Sequence, residues 1–235
     1  MSLRAGGRSG GVWSSLNLGV AVGDDPAAVA HNRARYAAAL GARPVWLRQV
    51  HGCTVQRLTE AELDCDLPPA DASWTSRRGI ACTVQVADCL PVLLAARDGR
   101  AVAAAHAGWR GLAAGVLQAT VQALADGAGV AAADLQAWLG PCIGPRQFEV
   151  GADVLQALGC APVPADLPGF VWRPRPDGAA RWLADLQGLA RQRLRALGVL
   201  DISAATECTV EDASSFFSFR RSGVTGRMAA SIWRG

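Results

Sequence analysis

The chain of 235 residues contains no lysine; all 23 of its basic residues are arginine. That absence excludes Schiff-base catalysis and the lysine-dependent phosphate sites of P-loop and kinase enzymes. Histidine is scarce, standing only at 31, 51 and 106, so a cluster of several copper ions cannot be assembled within one chain. The seven cysteines, at 53, 65, 82, 89, 142, 160 and 208, include no CxxC pair, which removes zinc ribbons and thioredoxin-like redox motifs. No apolar run approaches the roughly 18–20 residues of a membrane span. The arginines occur singly or in pairs such as Arg77-Arg78 and Arg220-Arg221, so no nucleic-acid groove is expected. The N-terminal MSLRAGGRSGGVW lacks the apolar stretch of a secretory signal. With an odd number of cysteines, that points to reduced thiols in the cytoplasm.

Hydrophobic residues make up 51% of the sequence, enough for a sizeable core in one domain over 1–235. Asp24 to Gly41 carries the start and stop signals of a helix, with His31 on it as an ordinary surface histidine. The runs PVWLRQV, ACTVQVA, CLPVLLAA and RAVAAAHA, between 44 and 107, read as strands. Residues 109–127 and 180–198 read as helices, the second with an apolar stripe of Trp182, Leu183, Leu186, Leu189, Leu194 and Leu197. The Pro- and Gly-rich segment 160–180 reads as a loop, and DISAATECTV, FFSFRR and GRMAASIW as β-like. Strands and helices mix without regular βαβ alternation, which predicts an α+β fold with packed sheets.

Asp98-Gly99 is a strong hairpin signal, favouring a two-residue turn with positive φ at both positions. A turn centred there places residue 91 opposite His106. Cys89 then lies on the same face as His106, a diagonal neighbour about 7 Å away at Cβ, within reach of a shared metal. His51, in RQVHG, ends another β-like run. Two imidazoles and a thiolate suit zinc with one coordination position left open. The residue types allow equally a buried cysteine beside two hydrogen-bonded histidines. His106-Ala-Gly-Trp-Arg-Gly111 opens a predicted helix, whose N-terminus with Arg110 could hold a phosphate; close backbone packing is the other reading. Cys142 and Cys208 read as buried packing residues. Glu149 reads as a capping or proton-transfer carboxylate outside the catalytic set, and Arg220-Arg221-Ser-Gly223 as a turn into a last strand.

LRQVHG, VADCLPVLL, AAHAGWRGL, GPCIGP, FEVG and FFSFRRSGVTGRMA, in this order and with the opening SLNLGVAVGDDPAAVAHNR, resemble the bacterial laccase-domain family of YfiH type, also called the peptidoglycan-editing-factor family. The resemblance spans nearly the whole chain. It implies two packed mixed β-sheets flanked by helices, an α-β-β-α sandwich distantly like the catalytic domain of cytotoxic necrotizing factor. It also implies a metal held by His51, Cys89 and His106, zinc in preference to copper. The implied activities are phosphorolysis of adenosine, inosine, guanosine and methylthioadenosine, and deamination of adenosine. The partners are then purine nucleosides and phosphate, with no nucleic acid or membrane, and a monomer is expected.

For these reactions Arg48 and Arg110 are the candidates for holding phosphate, and Asn17 a weaker donor to sugar or phosphate. Asp88 is the carboxylate nearest in sequence for proton transfer. In an extended strand it would face away from Cys89 unless the backbone bulges. Two other functions use the same residues: a hydrolase that removes a misincorporated L-serine from a muramyl precursor, through metal-bound water or Cys89 as nucleophile, and a non-enzymatic metal- or partner-binding protein.

Overall fold

The computed structural model describes residues 1–63 and 65–235. Helix α1 runs Pro26–Leu40, as its signals predict: the Asp25 carboxylate accepts from Ala27 N at its start, and Gly41 closes it at φ 64°. Strands β1 (Arg43–Trp46), β2 (Val55–Arg57), β3 (Ala72–Thr75), β4 (Ile80–Val86), β5 (Leu90–Ala96) and β6 (Val102–Ala107) follow. Helices α2 (Trp109–Ala114) and α3 (Val116–Ala128) come next, then β7 (Leu135–Leu139), β8 (Glu149–Val150) and helix α4 (Ala152–Ala157). The chain ends with β9 (Phe170–Trp172), β10 (Trp182–Ala184), helix α5 (Leu186–Ala196), β11 (Asp201–Ala204), helix α6 (Phe219–Ser222) and β12 (Met228–Ile232).

Among the described residues the strands form three sheets: a six-stranded mixed sheet in the order β11-β7-β5-β6-β3-β2, a three-stranded sheet β1-β4-β12, and a small sheet β8-β10-β9. The first two pack face to face through Val45, Leu58, Ile80, Cys82, Val84, Val102, Ala104 and Ala230. On the far side of the large sheet, α3 and α5 bury Leu117, Val121, Leu124, Leu189 and Leu194 against Leu90, Val92, Leu94 and Leu139. Each such leucine or valine contributes roughly 1.5–3 kcal/mol of burial. Helix α1 covers the smaller facing sheet through Tyr36, which packs with Leu18 and Ala229. The layers are therefore helix, sheet, sheet, helix, as expected. The small third sheet is an addition. Strand β6 lies between layers and is almost all alanine, with Ala103, Ala104, Ala105 and Ala107 fully buried. Side chains that short leave its one large polar residue, His106, conspicuous.

Several expected elements differ. The helix expected over 109–127 breaks at Gly115, where φ is 92°, giving α2 and α3. The helix expected from 180 begins only at Leu186. Asp185 caps it by accepting from Gly188 N, and Trp182–Ala184 instead form the central strand of the small sheet. The loop expected over 160–180 holds one strand, β9. FFSFRR is not a strand: Ser218 Oγ accepts from Arg221 N and starts the single-turn α6. Strand β1 stops at Trp46, short of the expected Val50. Beyond it the Gln49 amide takes over the pairing, donating to Gln85 O at 2.9 Å and accepting from Gln85 N at 2.7 Å.

Candidate metal centre

Strands β5 and β6 pair antiparallel with Pro91 opposite His106, the register expected from Asp98-Gly99. The turn itself differs. Ala96 N donates to Ala101 O, so four residues bridge the strands, and Gly99 alone has positive φ, at 73°. Both turns share one centre, which is why the register is the same. Cys89, just ahead of β5, comes beside His106. His51, in the loop after β1, completes the group: one ligand atom from each of His51, Cys89 and His106 lies within 4.8 Å of the others. The Cys89 Sγ is 3.7 Å from His51 Nε2, and the two imidazole rings meet edge to face at 4.7 Å between centroids. His106 is buried and His51 exposed, so the group opens to one side.

The residue that organises the cluster is Asp71, one position before β3 and fully buried. Strand β3 pairs with β6, Ala72 opposite Ala105, which sets Asp71 against His106. Its Oδ1 accepts from His106 Nδ1 at 2.9 Å and from His51 N at 2.8 Å. Its Oδ2 accepts from Gly52 N at 2.7 Å and Val50 N at 3.1 Å. A carboxylate can only accept, so the His106 proton sits on Nδ1 and Nε2 is left free for a ligand. The same carboxylate holds His51 at φ 62°, a left-handed conformation unusual for a residue with a side chain. Sequence reasoning missed Asp71. Nothing local marks it; only the β3–β6 pairing brings it to the site.

Electrostatics agree with this wiring. Burial would push the Cys89 thiol up, but the charge of His106 and hydrogen bonds from both histidines hold it at about 6. Burial works the other way on His106, yet Cys89 and Asp71 raise it to about 9. Asp71 is held below the usual carboxylate range: burial opposes this, and His106 with the Gly52 and Val50 N–H groups outweighs it. Each partner thus favours the charged form of the other, thiolate for Cys89 and imidazolium for His106. The donor set of one sulfur and two nitrogens is that of zinc or copper. At metal–ligand bonds of about 2.0–2.3 Å, donors roughly twice that far apart can share one ion. Gly108 is cut to fit as well: a Cβ there would stand 2.8 Å from Cys89 Sγ and 3.1 Å from His51 Cδ2.

The other expected residues are placed as follows. Arg48 and Arg110 are exposed, and Arg110 stacks on Trp109 at 4.3 Å. Asn17 is fully buried, its amide donating to Asp24 and Gly19 O and accepting from Gly19 N and Arg227 N. It holds backbone together and has no free group for a sugar or phosphate. Asp88 lies at φ 95°, so the backbone does turn sharply there. Its carboxylate points to Thr209 Oγ1 and Arg220 N, each at 2.6 Å; a proton-transfer role does not fit that placement. The turn's effect is on Cys89, which it swings toward the histidines. Cys142 and Cys208 are buried neighbours on a short backbone bridge, and burial pushes the Cys142 thiol well up, as packing residues require. Glu149 caps nothing; it pairs with Arg175.

Among the described residues no helix is long and apolar enough to cross a membrane. A family model described as multi-copper polyphenol oxidoreductase laccase matches residues 1–235. A protein of Pseudomonas aeruginosa named purine nucleoside phosphorylase is 49% identical over 233 residues, covering 99% of this chain and 91% of its own. The Escherichia coli purine nucleoside phosphorylase YfiH is 47% identical over 234 residues, with the same coverages. The crystal structure of a Neisseria meningitidis protein of the DUF152 family model superposes with a TM-score of 0.89 at 46% identity, over 99% of this chain and 91% of that one.

Proposed function

Since the chain belongs to the laccase-domain family of YfiH type, we propose that it is a metal-dependent cytoplasmic enzyme of purine nucleosides. The reactions are phosphorolysis of adenosine, inosine, guanosine and methylthioadenosine to the base and ribose or methylthioribose 1-phosphate, and deamination of adenosine to inosine. The observation that carries this reading is the convergence of His51, Cys89 and His106 on one point that is open on the His51 side. Relatives named purine nucleoside phosphorylase supply the substrate class.

Zinc, with copper as the alternative, would bind His51, Cys89 and His106 and supply Lewis acidity and an acidified water. The remaining work falls to the chain. Asp71 fixes the His106 tautomer and the His51 loop together. Phosphorolysis forms a bond from a phosphate oxygen to C1′ and breaks the bond from C1′ to the base nitrogen, whose electron pair leaves with the base. That step needs positive charge to carry phosphate. With no lysine in the chain, arginines provide it; Arg48 and Arg110 stand three residues before His51 and four after His106.

Metal-loaded protein incubated with inosine and phosphate is expected to release hypoxanthine and ribose 1-phosphate. Folded, metal-loaded protein without turnover on any of the four nucleosides rejects the reading. The low Cys89 thiol value favours one second reading, a hydrolase with Cys89 as nucleophile and His106 as its proton partner. Stoichiometric metal that protects Cys89 from iodoacetamide supports ligation. Purified protein without metal, active and inactivated by alkylation of Cys89, supports the nucleophile.

A further inference from the structure

We propose that Arg227, whose backbone lies alongside the turn that carries Cys89, is a further phosphate-binding residue. The proposal rests on the nucleoside phosphorylase reading for its chemistry and adds the group that takes the anion. Strand β12 runs antiparallel to β4 with Met228 opposite Val86, so Arg227 lies one step further, alongside the Ala87-Asp88-Cys89 turn. Its backbone is clamped by the opening segment of the chain: Arg227 N donates to Asn17 Oδ1 at 2.8 Å, and Arg227 O accepts from Leu18 N at 3.0 Å. The buried Asn17 therefore serves the anion site indirectly, by fixing this arginine. The side chain passes over Gly19, where a Cβ would come within 2.7 Å of Arg227 Cγ. At the tip, Nη1 donates to Thr225 O at 3.0 Å and Gly226 O at 3.1 Å. Those two bonds orient the guanidinium, and Nε and Nη2 have no hydrogen-bond partner among the described residues.

Arg227 is half-buried and forms no ion pair with a carboxylate among the described residues, its guanidinium lying over the Phe219 ring at 6.0 Å, so an anion reaching its free edge would gain from the partly desolvated charge. Burial lowers the Arg227 value, while the charges of Cys89 and Asp88 pull it back up. The Asp88 carboxylate is held by Thr209 and Arg220 N and forms no ion pair with Arg227. The free edge is the fork that an oxyanion takes with two parallel N–H bonds. Other arginines compare poorly. Arg221 has three bonds to backbone carbonyls, and the exposed Arg48 and Arg110 must lose side-chain freedom on closing around an anion. During phosphorolysis Arg227 would hold phosphate while its oxygen attacks C1′, moving no proton itself.

The test uses metal-loaded wild type with Arg227→Gln and Arg227→Lys, assayed for inosine phosphorolysis at varied phosphate and varied inosine. The KM for phosphate should rise roughly tenfold or more in Arg227→Gln, less in Arg227→Lys, with the KM for inosine within about twofold of wild type. An unchanged phosphate KM overturns the proposal, as does a rise confined to Arg48→Gln or Arg110→Gln. Arg227→Lys, which keeps the charge and the long stem, carries the comparison if the glutamine variant misfolds. Phosphate alone should raise the melting temperature of metal-loaded wild type but not of the Arg227 variants. That second measurement needs no turnover, so a protein that binds phosphate through Arg227 but leaves nucleosides intact overturns the functional reading and not this one. No phosphate-dependent shift in wild type overturns the role of Arg227.

Discussion

The two halves of the candidate metal centre are built in opposite ways. His106 belongs to a hairpin whose backbone ladder fixes it, and Cys89 directly precedes the first strand of that hairpin: β6 pairs on both sides, with β5 and with β3. His51 stands outside any strand, exposed and at positive φ, and its backbone N–H donates to Asp71. The ladder half would keep its shape if the loop half were lost. The reverse does not hold, because Asp71 itself is aligned by β3. One buried carboxylate therefore transmits the order of the sheet to a loop that has none of its own, and both histidines depend on it.

Asp71→Ala breaks that relation most completely. Three part-buried backbone N–H groups and the buried His106 imidazole lose their acceptor, at roughly 1–3 kcal/mol for each group left buried and unpaired. A loss of about 3 kcal/mol or more in urea unfolding is expected, together with a metal affinity lower by at least the roughly 10–100-fold typical of a lost ligand support, read by competition with a chelator. A stability loss no larger than that of His51→Ala would contradict the coupling. The next largest effect separates the halves directly. His106→Ala should cost about 2–4 kcal/mol, since it opens space in the core and strips a charged partner from Asp71. His51→Ala, at the surface, should stay within about 0.5–1 kcal/mol. Both should lose tight metal binding, so equal effects on folding would erase the distinction between ladder and loop.

Gly108→Ala sharpens the comparison, because its Cβ would meet both halves at once, Cys89 Sγ at 2.8 Å and His51 Cδ2 at 3.1 Å. The exposed His51 side can yield, the ladder side cannot. A cost of about 1–3 kcal/mol is expected, with weakened metal binding and the thiol of the metal-free protein alkylated at a changed rate. Wild-type behaviour in both assays would mean that the approach of Gly108 to the cluster is not functional.

The same division explains what could be read from the sequence. The ladder half was legible: Asp98-Gly99 fixed the centre of the hairpin, and alternation did the rest. His51 as a candidate third ligand was suggested by residue type and by the family resemblance, and its support by Asp71 was hidden because the partners are joined through a pairing that no local pattern encodes. Asn17 was read as a donor to sugar or phosphate, whereas its amide is spent on the chain itself, and its hold on Arg227 N across 210 positions is a tertiary contact that no local pattern encodes. The layers followed from element composition and the family resemblance. Two of the misread elements were those where a capping side chain overrides an apolar pattern, as Asp185 does ahead of α5 and Ser218 ahead of α6.

Asp212 offers the smallest and most specific check on why Asp71 matters. Like Asp71 it gathers N–H groups: its Oδ1 accepts from Ser214 N at 3.1 Å, Ser214 Oγ at 2.6 Å and Ser215 N at 3.0 Å. These bonds, the Ser214 side chain first, lower its carboxyl to about 2. Because the folded value lies below the ordinary 3.8, the stabilisation is complete above about pH 4 and lost as pH falls through about 2. Yet Asp212 faces water, which screens its charge and can replace its bonds. Asp212→Asn keeps the Oδ1 acceptor, so its unfolding midpoint at pH 7 should move less than that of any substitution above. Between pH 4 and 2 its stability should fall less steeply than that of wild type. If Asp212→Asn destabilised the protein at neutral pH as much as Asp71→Asn, the number of accepted bonds rather than their burial would set the cost, and the special standing of Asp71 would be lost.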